Sequence, residues 1–281
     1  MVAPAFEYVA AGSYDEAVRL LAENGDGAKI LAGGQSLMPM LNLRLAHPEL
    51  LIDINPADQR PPTLENDMLR LPALTRHRIL LEDPMVRQHC PLLADAIRYV
   101  GNVRVRNRGT IAGSLAHADP TSEIGCCALA TGARVVALGP DGERTVPASD
   151  LFAGYWATTL DPEEIITDVL IPAARPRQGW SFQEMVRRTS DFAIVAVAVI
   201  FNLAERTGDR ASATVALAGV ADRVVLADPE LLTDDPDESA ARIAESLDPP
   251  DDVHASGAYR CRLTRVLTAR ALREASARAA R

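Results

Sequence analysis

The stretch KILAGGQSLMPM, residues 29–40, places two glycines directly after an apolar segment. Lys29–Ala32 has the composition of a buried strand, and Gly33-Gly34 then predicts a tight turn. This pair constrains the fold, because glycine is needed where the backbone bends sharply or where another group leaves no room for a side chain. An isolated glycine pair is most often only a turn, so both interpretations stay open at this point.

A second segment, GTIAGS at residues 109–114, repeats the pattern. Gly113 follows a short apolar step, and each segment ends in a hydroxyl side chain, Ser36 in the first and Ser114 in the second. Successive backbone N–H groups in such turns can form a concave anion site, and two facing turns could hold both phosphates of a pyrophosphate. The chain has no G-x-x-x-x-G-K-[ST] and no G-x-G-x-x-G after a strand, so the nucleotide site expected here is neither a P-loop nor a Rossmann site.

The remaining pattern predicts an α+β chain. A capping box at Ser13–Glu16 opens a helix that ends near Gly25, and the first 55 residues are expected to contain one helix and two strands. Those two strands are 29–32 and 50–54. Further strands are predicted at 68–74, 164–172, 180–188, 194–203 and 211–219, a hairpin at 133–148, and helices at 75–89, 91–100, 121–131 and 256–280. The last helix should bury Tyr259, Leu263, Val266, Leu267 and Leu272. Residues 173–179 are the predicted domain boundary, because Pro, Gly and Arg occur there without periodicity.

Charge and hydropathy exclude several classes of function. A chain of 281 residues that is 48 % hydrophobic and 24 % charged can build a sizeable core, in two domains or one large one. Its net charge of −9 argues against nucleic acid, which needs a basic surface. The first twelve residues lack the basic region of a secretory signal. The apolar run Phe192–Phe201 is too short to cross a bilayer and is predicted to be a buried strand.

The four cysteines, Cys90, Cys126, Cys127 and Cys261, form no C-x-x-C pair and have no histidine at ligand spacing. A zinc site or an iron–sulfur cluster held by this chain alone is therefore not expected. Reduced, mostly buried thiols are typical of a cytoplasmic protein, which is the location predicted here.

Four longer motifs together resemble the FAD-binding medium subunit of the molybdenum hydroxylases, the flavoprotein chain of aerobic carbon monoxide dehydrogenase and its relatives. The motifs are AGGQSLMPMLNLRLAHPELLIDI, CPLLADAIRYVGNVRVRNRGTIAGSLAHADP, GYW and RRTSDFAIV. They occur in the family's order and spacing, from about Phe6 to Ala275. The resemblance implies a two-subdomain FAD-binding domain of the vanillyl-alcohol oxidase (PCMH) type over residues 1–175, with subdomains at about 1–55 and 60–175. A small C-terminal α+β domain, an antiparallel sheet with helices, is implied over 176–281.

The resemblance also implies roles for individual residues. The first pyrophosphate segment would be Ala32, Gly33, Gly34, Gln35, Ser36 and Leu37, and the second Thr110, Ile111, Ala112, Gly113 and Ser114. Asp119 and Glu123 fall where the family places acids near FAD, as acceptors for ribose hydroxyls. Ile166, Phe192 and Arg187 match positions near the isoalloxazine ring. No catalytic acid or base and no metal ligand is expected in this chain.

Three departures from the family pattern bear on flavin binding. Ala112 stands where many members have glycine, and Gln35 where some have histidine. Several relatives carry a lysine near residues 183–186, where this chain has Gln183, Glu184, Met185 and Val186. A cation that would tune the flavin is thus missing or replaced by Arg187 or Arg188, which affects the redox potential more than the binding.

Other interpretations of the same residues stay open. His117, Asp119 and Glu123 could ligate a metal, although a loop histidine with two acids is more often a set of caps and ribose or water contacts. Arg104, Arg106 and Arg108 alternate and are predicted to form one face of an extended segment, at a salt bridge, a subunit interface or an FAD phosphate. Tyr155 and Trp156 could stack on a flavin or form a core or interface pair.

The function implied is that of an electron-transfer subunit. Substrate would be oxidised at a molybdenum cofactor in a large partner, and electrons would pass through 2Fe–2S clusters in a small partner to FAD here and on to an external acceptor. A dimer of three-chain units is implied. Carbon monoxide, N-heteroaromatics and aldehydes remain open as substrates. The alternatives are a stand-alone flavin oxidoreductase and a scaffold subunit that has lost FAD.

Overall fold

A parallel sheet of three strands forms the first part of the structure, a computed structural model that describes residues 5–203 and 211–281. Its elements are β1 (Glu7–Ala10), α1 (Tyr14–Asn24), β2 (Ala28–Leu31), α2 (Leu37–Asn42) and β3 (Leu50–Asp53). The strand order is β1, β3, β2, and β3 pairs in parallel with both neighbours. Residues 1–4, part of the N-terminal stretch predicted to lack a signal, lie outside the described residues.

The helix α1 begins as the capping box predicts. Ser13 Oγ accepts a hydrogen bond from the Glu16 N–H at 3.1 Å, and Glu16 Oε2 accepts one from the Gly12 N–H at 2.8 Å. Gly25 ends the helix in the left-handed region, at φ +52°. The strand β1 is an addition to the prediction, because three of its four residues are exposed and no apolar alternation marks it.

An antiparallel sheet of five strands forms the second part. Its strands are β4 (Thr63–Glu65), β5 (Met68–Pro72), β6 (Arg134–Gly139), β7 (Gly142–Pro147) and β10 (Ile165–Pro172), and β8 (Phe152–Gly154) and β9 (Ala157–Thr158) form a separate pair. The strand order is β4, β5, β10, β6, β7. The central strand β10 divides two cores, because Ile165 packs on the α1 side and Ile166 packs on the other.

Short helices share the larger of these cores with the sheet. They are α3 (His77–Glu82), α4 (Pro84–His89), α5 (Pro91–Ala96), α6 (Val103–Arg108), α7 (Ile111–His117), α8 (Glu123–Thr131) and α9 (Ala148–Leu151). The prediction of one continuous helix over 75–89 is wrong, because two helices occupy this range. The helix breaks at Asp83-Pro84, where Asp83 Oδ1 accepts from the Met85 N–H at 2.8 Å and starts a new helix. The stop at Gly132, at φ +68°, is confirmed.

The prediction of an extended segment at Arg104, Arg106 and Arg108 is wrong, because these residues lie on α6. Asn102 Oδ1 caps this helix by accepting from the Arg104 N–H at 2.9 Å. Arg106 turns back and donates to the carbonyl oxygens of Val100 and Gly101 at 3.0 and 2.8 Å. A polar side-chain cap therefore decides the local structure where the apolar pattern is too short to do so.

The C-terminal part is a four-stranded antiparallel sheet covered by two helices. Its elements are β11 (Gln178–Met185), β12 (Val195–Asn202), β13 (Ser212–Ala218), β14 (Val225–Leu226), α10 (Pro236–Glu245) and α11 (Gly257–Ala279). One sheet face packs on α11 through Val197 and Leu267, and the other packs on α8 through Ala196 and Ala198. The strand β12 is buried on both faces, as predicted. No helix among the described residues is long and apolar enough to cross a membrane.

The helix α11 packs directly on β11. A Cβ on Gly179 would lie 1.8 Å from the Ala275 carbonyl oxygen, so only glycine permits this approach. Of the predicted apolar side, Leu263, Leu267 and Leu272 are buried. Tyr259 and Val266 are exposed, which corrects that prediction.

A polar network fixes the C-terminal part to the preceding helices. Arg278 Nη1 donates to the Trp180 carbonyl oxygen at 2.9 Å, and Trp180 Nε1 donates to Asp95 Oδ2 at 2.9 Å. Glu274 Oε2 accepts from Ser181 Oγ at 2.7 Å. These contacts join α11, β11 and α5, so the two parts meet in a defined orientation.

Candidate functional site

The two glycine-bearing segments touch each other. A Cβ on Gly33 would lie 2.5 Å from the Arg108 carbonyl oxygen and 2.9 Å from Gly109 Cα. The second segment therefore occupies the space that a side chain at position 33 would need. The strand β2, which precedes the first glycine segment, is less buried than predicted, because Lys29 is exposed.

The first segment offers backbone donors. Among the described residues, the N–H groups from Gly33 to Leu37 donate no hydrogen bond to another residue. Gly34 is in the left-handed region at φ +70°, and Gln35 Nε2 donates back to the Gly33 carbonyl oxygen at 3.1 Å. Ser36 precedes α2 without capping it through its side chain. Successive free N–H groups of this kind bind an anion.

The second segment differs from the prediction of a loop with free amides. Thr110 caps α7, and the N–H groups of the next four residues are already bonded. The Ile111 N–H donates to the Thr75 carbonyl oxygen at 3.1 Å, and the Ala112 N–H donates to the Ala73 carbonyl oxygen at 3.2 Å. The Gly113 N–H donates to Thr110 Oγ1, and the Ser114 N–H donates to the Thr110 carbonyl oxygen, both at 3.1 Å. The Ala112 methyl lies in the core, so this departure from the family pattern is accommodated. The donors left free in this segment are the Thr110 N–H and the Ser114 hydroxyl.

A histidine that the sequence pattern does not indicate orients this hydroxyl. His77 Nε2 lies 3.0 Å from the Thr110 carbonyl oxygen and 3.1 Å from Ser114 Oγ. A carbonyl oxygen only accepts, so Nε2 carries the proton and donates to both. The Ser114 hydroxyl, which accepts from His77, is then left to donate its own proton outward. Burial lowers the pKa of His77 to about 4, which keeps the imidazole neutral.

Two further residues missed from the sequence join the segments. Arg76 Nη1 donates to the Arg108 carbonyl oxygen, and its Nη2 donates to Asn55 Oδ1. Asn55 Nδ2 donates to the Ala32 carbonyl oxygen at 2.9 Å. Isolated arginine and asparagine residues in a sequence carry no signal of such a contact, because Asn55, Arg76 and the two glycine segments are far apart in the chain.

Acidic side chains lie at the start of α8. Asp119 Oδ1 accepts from the Thr121 N–H and hydroxyl at 2.8 and 2.6 Å, which leaves Oδ2 available. Burial and the neighbouring Asp119 raise the pKa of Glu123 to about 7. Burial and the charge of Glu123 raise the pKa of Glu184, on β11, to about 8. Glu184 is therefore mostly protonated at neutral pH, and Glu123 gains and loses its proton near pH 7. The described residues contain no group of three His, Cys, Asp or Glu side chains placed to hold a metal.

The residues predicted near an isoalloxazine ring lie on two different parts of the structure. Ile166 is buried at 4 % exposure in the core under α7 and α8, whereas Arg187 and Phe192 are exposed in the β11–β12 connection. No hydrogen bond of the described residues joins this connection to either glycine segment. Tyr155 and Trp156, with ring centroids 5.8 Å apart, are exposed at the β8–β9 turn, so they are not a core pair.

Comparison with known proteins agrees with the fold. The family described as "FAD binding domain in molybdopterin dehydrogenase" matches residues 4–174, and the "CO dehydrogenase flavoprotein C-terminal domain" matches residues 180–275. The chain is 38 % identical to the 6-hydroxypseudooxynicotine dehydrogenase complex subunit alpha of Paenarthrobacter nicotinovorans, over 99 % of this chain and 97 % of that one. It is 35 % identical to the carbon monoxide dehydrogenase medium chain of Hydrogenophaga pseudoflava, over the full length of both.

Solved structures of related proteins have the same fold as this chain. The carbon monoxide dehydrogenase of Hydrogenophaga pseudoflava superposes with a TM-score of 0.94 at 35 % identity, over 99 % of both chains. The quinoline 2-oxidoreductase of Pseudomonas putida 86 superposes with a TM-score of 0.91 at 33 % identity, again over 99 % of both. The predicted fold class and cofactor are thereby confirmed. The chain belongs to the family of FAD-binding medium subunits of carbon monoxide dehydrogenase-type molybdenum hydroxylases.

Proposed function

We propose that this chain carries FAD and transfers electrons within a multi-subunit molybdenum hydroxylase. Electrons would arrive from 2Fe–2S clusters of a small partner, after substrate oxidation at the molybdenum cofactor of a large partner, and leave to an external acceptor. The observation that carries the proposal is the contact between the two glycine segments. Gly33, the first of five residues with free N–H groups (Gly33 to Leu37), packs on Arg108 and Gly109, and the second segment carries the Ser114 hydroxyl held by His77. Bound FAD supplies the redox chemistry, and the protein supplies orientation and electrostatics.

The residues of the site fit a diphosphate. Free amides from Gly33 to Leu37 would bind one phosphate, and Ser114, held by His77, would donate to the other. Ala32, Thr110, Ile111, Ala112 and Gly113 would shape the site through their backbone, since the N–H groups after Thr110 are already bonded.

The acids and the flavin-side residues have separate roles in this proposal. Asp119 Oδ2 and Glu123 would accept from ribose hydroxyls, and Ile166, Arg187 and Phe192 would flank the ring. Glu184, which is mostly protonated at neutral pH, would avoid placing a second buried negative charge beside Glu123 next to the cofactor.

The organisation around this site is part of the same proposal. The chain divides into residues 1–175, with subdomains at about 1–55 and 60–175, and residues 176–281. It is active only in complex, in a dimer of three-chain units. A cytoplasmic location stays a prediction.

The first test is the visible spectrum of the purified chain, with the released cofactor identified by mass. FAD at about one per chain, in a chain that purifies with molybdenum and iron–sulfur partners, is the expected result. A yellow chain that oxidises substrate alone would favour a stand-alone flavin oxidoreductase. A colourless chain that FAD does not reconstitute would contradict the proposal and favour a scaffold subunit.

A further inference from the structure

Arg76 and Asn55 connect the two glycine segments through their side chains. We propose that Arg76, bonded to Asn55, is a positioning residue that sets the distance between the two segments and thereby the affinity for the diphosphate of FAD. This inference rests on the proposed function and concerns residues outside both glycine motifs.

The contacts lie at the point where the segments meet. Arg76 Nη1 donates to the Arg108 carbonyl oxygen, which is the atom that would lie 2.5 Å from a Cβ on Gly33. Its Nη2 donates to Asn55 Oδ1, and Asn55 Nδ2 donates to the Ala32 carbonyl oxygen at 2.9 Å. One guanidinium and one amide therefore join the residue before Gly33 to the residue before Gly109.

Asn55 is fixed to the first segment's sheet. Asp53 Oδ1, at the end of β3, accepts from the Asn55 backbone N–H at 2.9 Å and from Asn55 Nδ2 at 2.5 Å. Asp53 Oδ2 accepts from the Tyr8 hydroxyl at 2.5 Å, which connects the turn to β1. The Asn55 side chain thus moves only with the parallel sheet.

Arg76 is fixed to the second segment by its backbone. It forms an isolated antiparallel bridge with Thr110, in which the His77 N–H donates to the Gly109 carbonyl at 3.0 Å and the Ile111 N–H donates to the Thr75 carbonyl at 3.1 Å. Each partner therefore belongs rigidly to one segment. The hydrogen bond between Arg76 and Asn55 joins the two through side chains, beside the backbone contact of Gly33 with Arg108 and Gly109.

The guanidinium suits this role for two separable reasons. Its planar group presents donors in two directions at fixed angles, which a lysine ammonium does not. Its charge also matters, because burial and the nearby Arg108 lower the pKa of Arg76, whereas Asp53 opposes this shift. Two neighbouring cations repel each other, and a bound diphosphate would relieve the repulsion. Charge and spacing can be separated by substitution.

The test uses the full chain stripped of flavin and titrated with FAD, followed by flavin fluorescence, and with ADP by calorimetry. Arg76→Lys keeps the charge and removes the fork, and Asn55→Ala keeps Arg76 and removes its anchor. Each is expected to weaken FAD and ADP binding by about tenfold to a hundredfold. The double variant should lose little more than either single variant, because both remove one connection.

Arg87→Lys is the matched control, since this exposed arginine also donates to a carbonyl oxygen, that of Leu81 at 2.9 Å, but on α4. It should bind FAD and ADP like the wild type. The thermal midpoint of each stripped chain separates positioning from folding. Wild-type affinity in Arg76→Lys and Asn55→Ala, with or without a lower midpoint, would overturn the inference. Failure of the wild type itself to bind FAD and ADP would instead overturn the proposed function.

Discussion

The substitution Gly33→Ala tests whether the two glycine segments form one site. The added Cβ would meet the Arg108 carbonyl oxygen at 2.5 Å and Gly109 Cα at 2.9 Å. The oxygen contact has to lengthen by about 0.9 Å to reach the 3.4 Å of an ordinary contact. Both atoms belong to the backbone, so no side-chain rotation can absorb the change.

The magnitude follows from the contacts that must yield. Over-packing of this kind costs about 1–3 kcal/mol, and weakening the Arg76 hydrogen bond to the same carbonyl adds about 1 kcal/mol. The free energy of unfolding of the flavin-free chain is therefore expected to fall by about 2–4 kcal/mol. FAD binding should weaken as well, because the free amides move away from the Ser114 hydroxyl.

Urea denaturation of the flavin-free chain measures the first effect, and titration with FAD measures the second. Gly132→Ala is the control, because Gly132 is at φ +68° with no atom within 4 Å of its added Cβ. That variant should lose about 1–2 kcal/mol through backbone strain alone and bind FAD normally. A Gly33→Ala chain as stable as the wild type, with unchanged FAD affinity, would refute the contact between the segments.

Three other outcomes follow from named contacts. The pKa of His77 falls from 6.5 to about 4 on folding. Its contribution to stability is therefore complete above pH 6.5 and is lost as the pH falls toward 4, about 3 kcal/mol in all. In His77→Gln, the free energy of unfolding should depend less on pH over this range. Ser114→Ala should weaken FAD binding about tenfold or more with little change in stability, whereas Ser149→Ala, at an exposed serine, should change neither. Gly179→Ala should destabilise the fold by more than about 3 kcal/mol, since the Ala275 carbonyl lies 1.8 Å from the added Cβ; Gly27→Ala, whose nearest neighbour is the Glu49 side chain at 3.7 Å, should be tolerated in the same denaturation assay.

Elements with a long apolar pattern could be predicted from the sequence. The strands β10 and β12 follow from runs of buried apolar residues, and α1 follows from its capping box. The β6–β7 hairpin follows from the apolar run of β6 and the turn residues Gly139 to Gly142, although β7 itself is mostly exposed. The elements that were missed lack this signal. The strand β1 is an exposed edge, and α6 and α7 have six and seven residues, too few to show helical periodicity. Their caps, Asn102 and Thr110, were the available signal.

The sequence predicted the first glycine segment more completely than the second. The first glycine segment has the free amides expected of it. The second is a helix start in which the amides from Ile111 to Ser114 are bonded, and its free donors are the Thr110 N–H and the Ser114 hydroxyl. Arg76, His77 and Asn55 could not be identified, because their roles depend on contacts between segments separated by 20 residues or more. Sequence spacing does not encode such contacts unless the fold is already known.

The position of Gly33 would couple folding to cofactor binding. A glycine in a sequence indicates a close approach without identifying the approaching group, and here that group is the backbone of the second segment. The first glycine segment follows a strand of the parallel sheet, and the second begins α7 in the core of the antiparallel sheet, so a bound diphosphate would bridge two separate cores. A ligand that binds only when both segments are in place stabilises the pair by an amount that grows with its concentration relative to its dissociation constant. FAD would therefore link the two cores, in addition to the hydrogen bond between Arg76 and Asn55.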